Sequence, residues 1–272
     1  MKLDGTLGFL GFGNMGSAIA RGLLATGTAG ADQLAAYDPD PARQADARGL
    51  GCTLCGDAAD LARRARTLLV AVKPQQWREA CVTPAAALQL EARVISIMAG
   101  VPLQALESVF GGSRAVIRVM PNTPAQRLAG AAALALNRAC GDADRTAALG
   151  IFQAVGVAVV VEETQLDAVT ALSGSGPAYY FLLTELLIRA GIANGLDPET
   201  AWLLAVHTAL GAGRMLAESG EPPQVLREKV TSKGGTTFAA LETFRAGGFE
   251  DLVLRAVRAA ADRSRELGSL MK

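Results

Sequence analysis

Thr6-Leu7-Gly8-Phe9-Leu10 runs directly into Gly11-Phe12-Gly13-Asn14-Met15-Gly16, and a helical run from Ser17 to Ala25 follows at once. Apolar strand, glycine turn and helix, in that order, is the setting in which a G-x-G-x-x-G segment carries meaning. Gly11 allows a tight turn, Gly13 lets a pyrophosphate approach the backbone, and Gly16 lets the helix pack closely. The first amides of the helix, led by Asn14 and Met15, then face an anion. A glycine turn without a ligand is the plain alternative. The strand-turn-helix context favours a dinucleotide.

Outward from that turn the alternation continues. Gln33 to Tyr37 reads as a second strand, and Asp40-Pro41 opens a helix with a capping carboxylate and a proline at the first helical position. Thr67 to Val72, Val94 to Met98 and Ala115 to Met120 read as buried parallel strands with helical intervals between them. Gly130 to Leu136 and Val155 to Val161, flanking a helix at Asp142 to Ala154, close a doubly wound sheet. The fold class is therefore α/β, a Rossmann-type sheet followed by an all-α domain, with boundaries at residues 1–162 and 163–272. In the second part Leu166 to Ala190, Pro198 to Ser219, Pro222 to Val230, Thr236 to Ala246 and Phe249 to Leu267 read as helices. Leu182, Leu183, Leu186, Leu187 and Ala190 give the first of these a broad apolar face suited to a partner helix.

Strand ends nominate further residues. Asp38 ends the second strand, where an acidic group binds the adenosine ribose hydroxyls. That favours NADH, while Arg43 could reach the 2′-phosphate of NADPH, so the nicotinamide stays open. Ala71, Val72, Lys73 and Pro74 end a central strand, and ligands of open α/β sheets bind outside the carboxyl ends of the strands. Lys73 can also be read as a solvated strand-end cation.

Composition excludes other classes. The 272 residues are 50% hydrophobic, and Lys plus Arg equal Asp plus Glu at 26 each, so no basic surplus supports nucleic-acid binding. The longest apolar stretch, Ala148 to Val161, is shorter than a membrane span and is interrupted by Gln153. The first residues lack the pattern of a secretory signal, which gives a cytoplasmic expectation. Cys52, Cys55, Cys81 and Cys140 form neither a disulfide framework nor a metal set, so no metal is expected.

Three later segments carry a resemblance: Arg118-Val119-Met120-Pro121-Asn122-Thr123-Pro124-Ala125, Asp167 through Leu172-Ser173-Gly174-Ser175-Gly176-Pro177-Ala178, and Val230-Thr231-Ser232-Lys233-Gly234-Gly235-Thr236-Thr237. With the glycine turn and the Ala71-Val72-Lys73-Pro74 run, they make the chain resemble pyrroline-5-carboxylate reductase along almost its whole length. The resemblance implies an oxidoreductase of proline biosynthesis that transfers hydride from NADH or NADPH to L-1-pyrroline-5-carboxylate, giving L-proline. It implies a homodimer or a larger assembly of dimers, each site drawing on two subunits. It adds Asn122 to the cofactor set of Gly11, Gly13, Asn14, Met15, Gly16, Asp38, Ala71, Val72, Lys73 and Pro74. It assigns the substrate carboxylate to the loop Ser232, Lys233, Gly234, Gly235, Thr236 and Thr237, with the Thr237 hydroxyl on the ring nitrogen.

The residues suit those roles. A glycine-rich, hydroxyl-rich loop opening a helix at Thr236 turns several amides toward one anion. Thr237 can also be read as a helix cap. Lys233 departs from the family, many members of which carry proline there, and adds a cation and a looser backbone. A protonated imine is already electrophilic, so no strong acid is required, and His207 is read as a packed helix residue outside the site. Two alternatives are a β-hydroxyacid dehydrogenase and a non-catalytic dinucleotide-binding protein. The first needs a lysine on the helix after its glycine segment, and no lysine occurs between Lys73 and Lys229.

Overall fold

Leu7–Leu10 (β1) is buried at every residue, as a strand covered on both faces must be. In the computed structural model, which describes residues 2–271, this strand lies inside an eight-stranded sheet of order β3-β2-β1-β4-β5-β6-β7-β8. The remaining elements of the alternation are α1 (Asn14–Ala25), β2 (Leu34–Tyr37), α2 (Pro41–Gly49), β3 (Thr53–Leu54), α3 (Ala58–Arg64), β4 (Thr67–Val70), α4 (Trp77–Ala87), β5 (Arg93–Ser96) and α5 (Leu103–Phe110). They continue through β6 (Val116–Met120), β7 (Gly130–Leu136), α6 (Asp142–Gln153) and β8 (Gly156–Val160). The doubly wound sheet thus stands where the alternation placed it.

Neighbouring strands are parallel except for β6 and β7, which pair antiparallel with Val119 opposite Leu134. The reason lies in the connection. A parallel return needs a helical crossover, and the segment between these strands holds only the 3-10 turn Thr123–Arg127. Alternate side chains of the inner strands feed two cores. Leu68 and Val70 join Leu61, Trp77 and Leu106 on one face, while Leu69 joins Ile19, Leu23 and Phe152 on the other.

One charge sits deep at the foot of this sheet. Arg93, 1% exposed, donates through Nη1 and Nη2 to the two carboxylate oxygens of Asp4 at 2.7 and 3.0 Å and through Nε to Asp144 at 2.9 Å. A buried guanidinium persists only when its donors are occupied in this way. The hydrogen bond from Arg93 holds the Asp4 carboxyl below the usual carboxylate range.

The helical part departs from its expected form at one place. Leu166 to Ala190 is not one helix. It is α7 (Leu166–Val169), a π-turn at Thr170–Gly174, and α8 (Gly176–Ala193). The Thr170 hydroxyl donates to the Leu166 carbonyl at 2.7 Å and that of Ser173 to the Val169 carbonyl at 3.1 Å, loosening the regular ladder. Gly174 packs close to Met120, whose methyl would lie 2.4 Å from a Cβ placed there. The rest comprises α9 (Pro198–Glu218), α10 (Pro223–Lys229), α11 (Thr236–Ala246) and α12 (Phe249–Ser269). The chain divides into two compact units, one running to Ser175 and resuming at Ala260, the other Gly176–Ala259. Ser264 on α12 donates to the Asp167 carboxylate at 2.6 Å within the first unit. No helix among the described residues is long and apolar enough to cross a membrane.

Candidate functional site

The glycine turn between β1 and α1 is built as its spacing requires. Gly11 adopts φ +90°, and a Cβ there would meet the Ala71 carbonyl carbon and oxygen at 3.0 Å, so only glycine lets the turn lie against the end of β4. Gly16 is constrained by packing alone, because its Cβ would stand 3.0 Å from the Gly11 carbonyl oxygen. Gly13 caps α1 without a side-chain partner, and the first bond of the helix runs from Ser17 N to Gly13 O at 2.9 Å. The preceding amides have no acceptor within the helix.

These features open onto a cleft of about 930 Å³ outside the carboxyl ends of β1, β2 and β4. Of the sequence-predicted cofactor residues, Gly11, Gly13, Asn14, Met15, Asp38, Ala71, Val72 and Lys73 line it. Gly16, Pro74 and Asn122 do not. Pro74 starts the short 3-10 turn after Lys73. Asn122, 9% exposed, spends its amide on the protein: Nδ2 donates to the Ser173 carbonyl at 3.1 Å and Oδ1 accepts from Ala131 N at 2.8 Å.

Asp38 is held firmly. Its Oδ2 accepts from Phe12 N in the glycine turn at 2.7 Å, its Oδ1 from Asp40 N at 2.9 Å, and its carbonyl from Gln44 Nε2 at 2.8 Å. The turn, the end of β2 and α2 are thereby one assembly. The cleft fits a dinucleotide: apart from Gly13 and its chain neighbours, nothing lies within 4 Å of where a Gly13 Cβ would sit, and helix amides stand beside that open space.

Sequence reasoning missed Asp57, Gln76 and Glu79, which also line the cleft. Asp57 caps α3 just after β3, by accepting from Asp60 N at 2.6 Å. The strand-end rule that found Asp38 would have found it had the two-residue β3 been read as a strand. The cysteines are unpaired, with Cys52, Cys55 and Cys81 buried. Burial pushes the Cys81 thiol up to about 12 and the other three to about 11, which makes them inert packing groups.

In the second unit, Ser232–Thr237 forms a turn that ends in α11. Gly234 takes φ +75°, Gly235 N donates to Ser232 O at 3.0 Å, and Gly235 caps the helix with no side chain of its own. A Cβ on Gly235 would stand 2.5 Å from the Ser232 hydroxyl. The amides from Thr236 onward therefore point out of the helix end beside the hydroxyls of Thr236 and Thr237. Lys233 is exposed. His207 sits on α9 and is exposed in the single chain.

This unit buries very little. Among its described residues only Gly176 and Ala201 are buried, while Tyr180, Phe181, Leu182, Leu186 and Leu187 of α8 and Trp202 of α9 are all at least 46% exposed. An apolar surface of that extent marks an interface.

Known proteins match both parts of the chain. A family model described as pyrroline-5-carboxylate reductase dimerisation matches residues 163–267, and one described as NADP oxidoreductase, coenzyme F420-dependent, matches residues 6–100. A pyrroline-5-carboxylate reductase of Pseudomonas aeruginosa is 42% identical over 263 residues, 96% of each chain. A pyrroline-5-carboxylate reductase structure from Coxiella burnetii is 35% identical, with a TM-score of 0.92 over 97% of this chain and 98% of that one. The Plasmodium falciparum pyrroline carboxylate reductase, crystallised with NADP bound, is 30% identical, with a TM-score of 0.87 over 98% and 100%.

Proposed function

The chain belongs to the pyrroline-5-carboxylate reductase family, and from that premise we propose that it reduces L-1-pyrroline-5-carboxylate to L-proline with NADH or NADPH, closing proline biosynthesis. Bound nicotinamide supplies the hydride that the C=N carbon receives. The glycine turn, with Asn14 and Met15, takes the pyrophosphate on main-chain amides, and Asp38 takes the adenosine ribose. Ala71, Val72 and Lys73 wall the same cleft. Gly16, Pro74 and Asn122 complete the cofactor set from behind it, by close helix packing, by the turn after Lys73 and by bracing Ala131 and Ser173.

The observation that carries the substrate assignment is the glycine pair immediately before α11. Ser232, Lys233, Gly234, Gly235, Thr236 and Thr237 hold the substrate carboxylate on main-chain and hydroxyl donors. Two or three charge-assisted bonds of about 1.5–3 kcal/mol each fix a small ring without an arginine. Thr237 is the catalytic residue: its hydroxyl donates to the ring nitrogen as hydride arrives at the adjacent carbon, and solvent restores the proton. The helix α8 carries no lysine, which leaves the β-hydroxyacid dehydrogenase alternative without its acid.

The active species is a homodimer or an assembly of dimers formed through the helical part, residues 163–272, with residues 1–162 binding the dinucleotide. We place it in the cytoplasm, where thiols buried as these are stay reduced. Oxidation of NADH and NADPH followed spectrophotometrically with pyrroline-5-carboxylate tests the reading. Turnover with one of them supports it, and none with either overturns it.

A further inference from the structure

The loop after β2 borders the dinucleotide cleft. Its sequence is Asp38-Pro39-Asp40-Pro41-Ala42, and Asp38, Pro39 and Asp40 line the cleft. A 2′-phosphate needs hydrogen-bond donors there, from amides, hydroxyls or cations. The loop has almost none left. Pro39 and Pro41 have no N–H. The amide of Asp40 donates to the Asp38 carboxylate at 2.9 Å and that of Ala42 to the Asp40 carboxylate at 2.9 Å. No serine or threonine lies between β2 and α2.

Charge points the same way. Asp38, Asp40 and Asp57 line this side of the cleft against a single guanidinium, Arg43, whose Nη1 lies 3.4 Å from Asp46. Lys73, the other cation of the wall, follows β4. Asp38 cannot swing aside, because amides of the glycine turn and of its own loop hold both its oxygens. Each carboxylate oxygen has a second lone pair, so the group still accepts a hydroxyl while repelling a phosphate.

Resting on the reductase reading above, we propose that this chain is an NADH-selective member of its family, and that Asp38 is the residue that sets the selectivity. It accepts a ribose hydroxyl of NADH and excludes the 2′-phosphate of NADPH by charge and by occupying the Asp40 amide.

Equilibrium binding of NADH and NADPH without substrate, by titration calorimetry on the full-length protein, tests this apart from turnover. The expected result is a Kd for NADH at least about tenfold below that for NADPH. Asp38→Asn removes the charge and keeps an acceptor for one of the two backbone amides, and it narrows the ratio to within about threefold, chiefly by tightening NADPH. NADPH binding as tightly as NADH to the wild type overturns the selectivity, and an unchanged ratio in Asp38→Asn overturns the role of Asp38. If neither dinucleotide binds, the reductase reading itself falls.

Discussion

An alanine at Gly11 would have to hold φ +90° and set its Cβ 3.0 Å from the carbonyl carbon and oxygen of Ala71 and 3.1 Å from the Val72 nitrogen. All three are main-chain atoms leaving β4, so no side chain can rotate away to make room. The backbone conformation alone costs a non-glycine residue about 1–3 kcal/mol. Overpacking against fixed neighbours costs about as much again. The reduced freedom of the unfolded chain offsets about 0.4–1 kcal/mol. The net loss of about 1–5.5 kcal/mol corresponds to a fall in Tm of roughly 2–20 °C for a chain of this size. Gly13→Ala is the comparison. With φ −69° and open space around its Cβ, it keeps Tm within about 2 °C, while its methyl group occupies the cleft and weakens NADH binding about tenfold or more. Thermal unfolding by circular dichroism at one protein concentration, paired with NADH titration, reads both effects. A Gly11→Ala protein with wild-type Tm, or a Gly13→Ala protein as unstable as it, would refute the reasoning.

Thr237→Ala lowers kcat/KM by roughly 10- to 100-fold, the loss of one contact of about 1.5–3 kcal/mol, and leaves NADH affinity unchanged; steady-state kinetics with wild-type values would remove it from the reaction. Leu186→Glu with Leu187→Glu places two charges on an exposed apolar stretch of α8 and yields monomer in sedimentation velocity, whereas an intact dimer would put the interface elsewhere. Arg93→Met leaves Asp4 and Asp144 partly solvated, so the loss is about 1–3 kcal/mol, less than for a fully buried pair. Because Asp4 titrates below 3.8 when folded, that contribution is fully present above about pH 4 and is lost as pH falls through the depressed value. Urea unfolding should then show the two proteins converging in acid, and a gap that widens there would contradict the ion pair.

Legibility followed locality. The glycine turn, β7 at Gly130–Leu136 and α11 at Thr236–Ala246 were readable because each is specified by its own few residues. So were the strand ends at Asp38 and Lys73, which a general rule of α/β sheets carries to the cleft wall. The two-residue β3 was not, since its pairing with β2 is decided by neighbours and not by its own periodicity. The π-turn at Thr170–Gly174 hides inside an uninterrupted helical composition. Asn122 shows the same limit at the site: its motif is legible, but its bonds to Ala131 and Ser173 belong to tertiary structure. The bond between Ser264 and Asp167, 97 positions apart, had no sequence signal at all.

A stretch of four helices and the start of a fifth that shelters just Gly176 and Ala201 has little reason to stay folded in isolation. On a ribosome the sheet can form as it emerges, whereas the helices that follow must wait until two finished polypeptides meet. Maturation is then second order in newly made protein, and dilution, not heat alone, becomes a way to inactivate it.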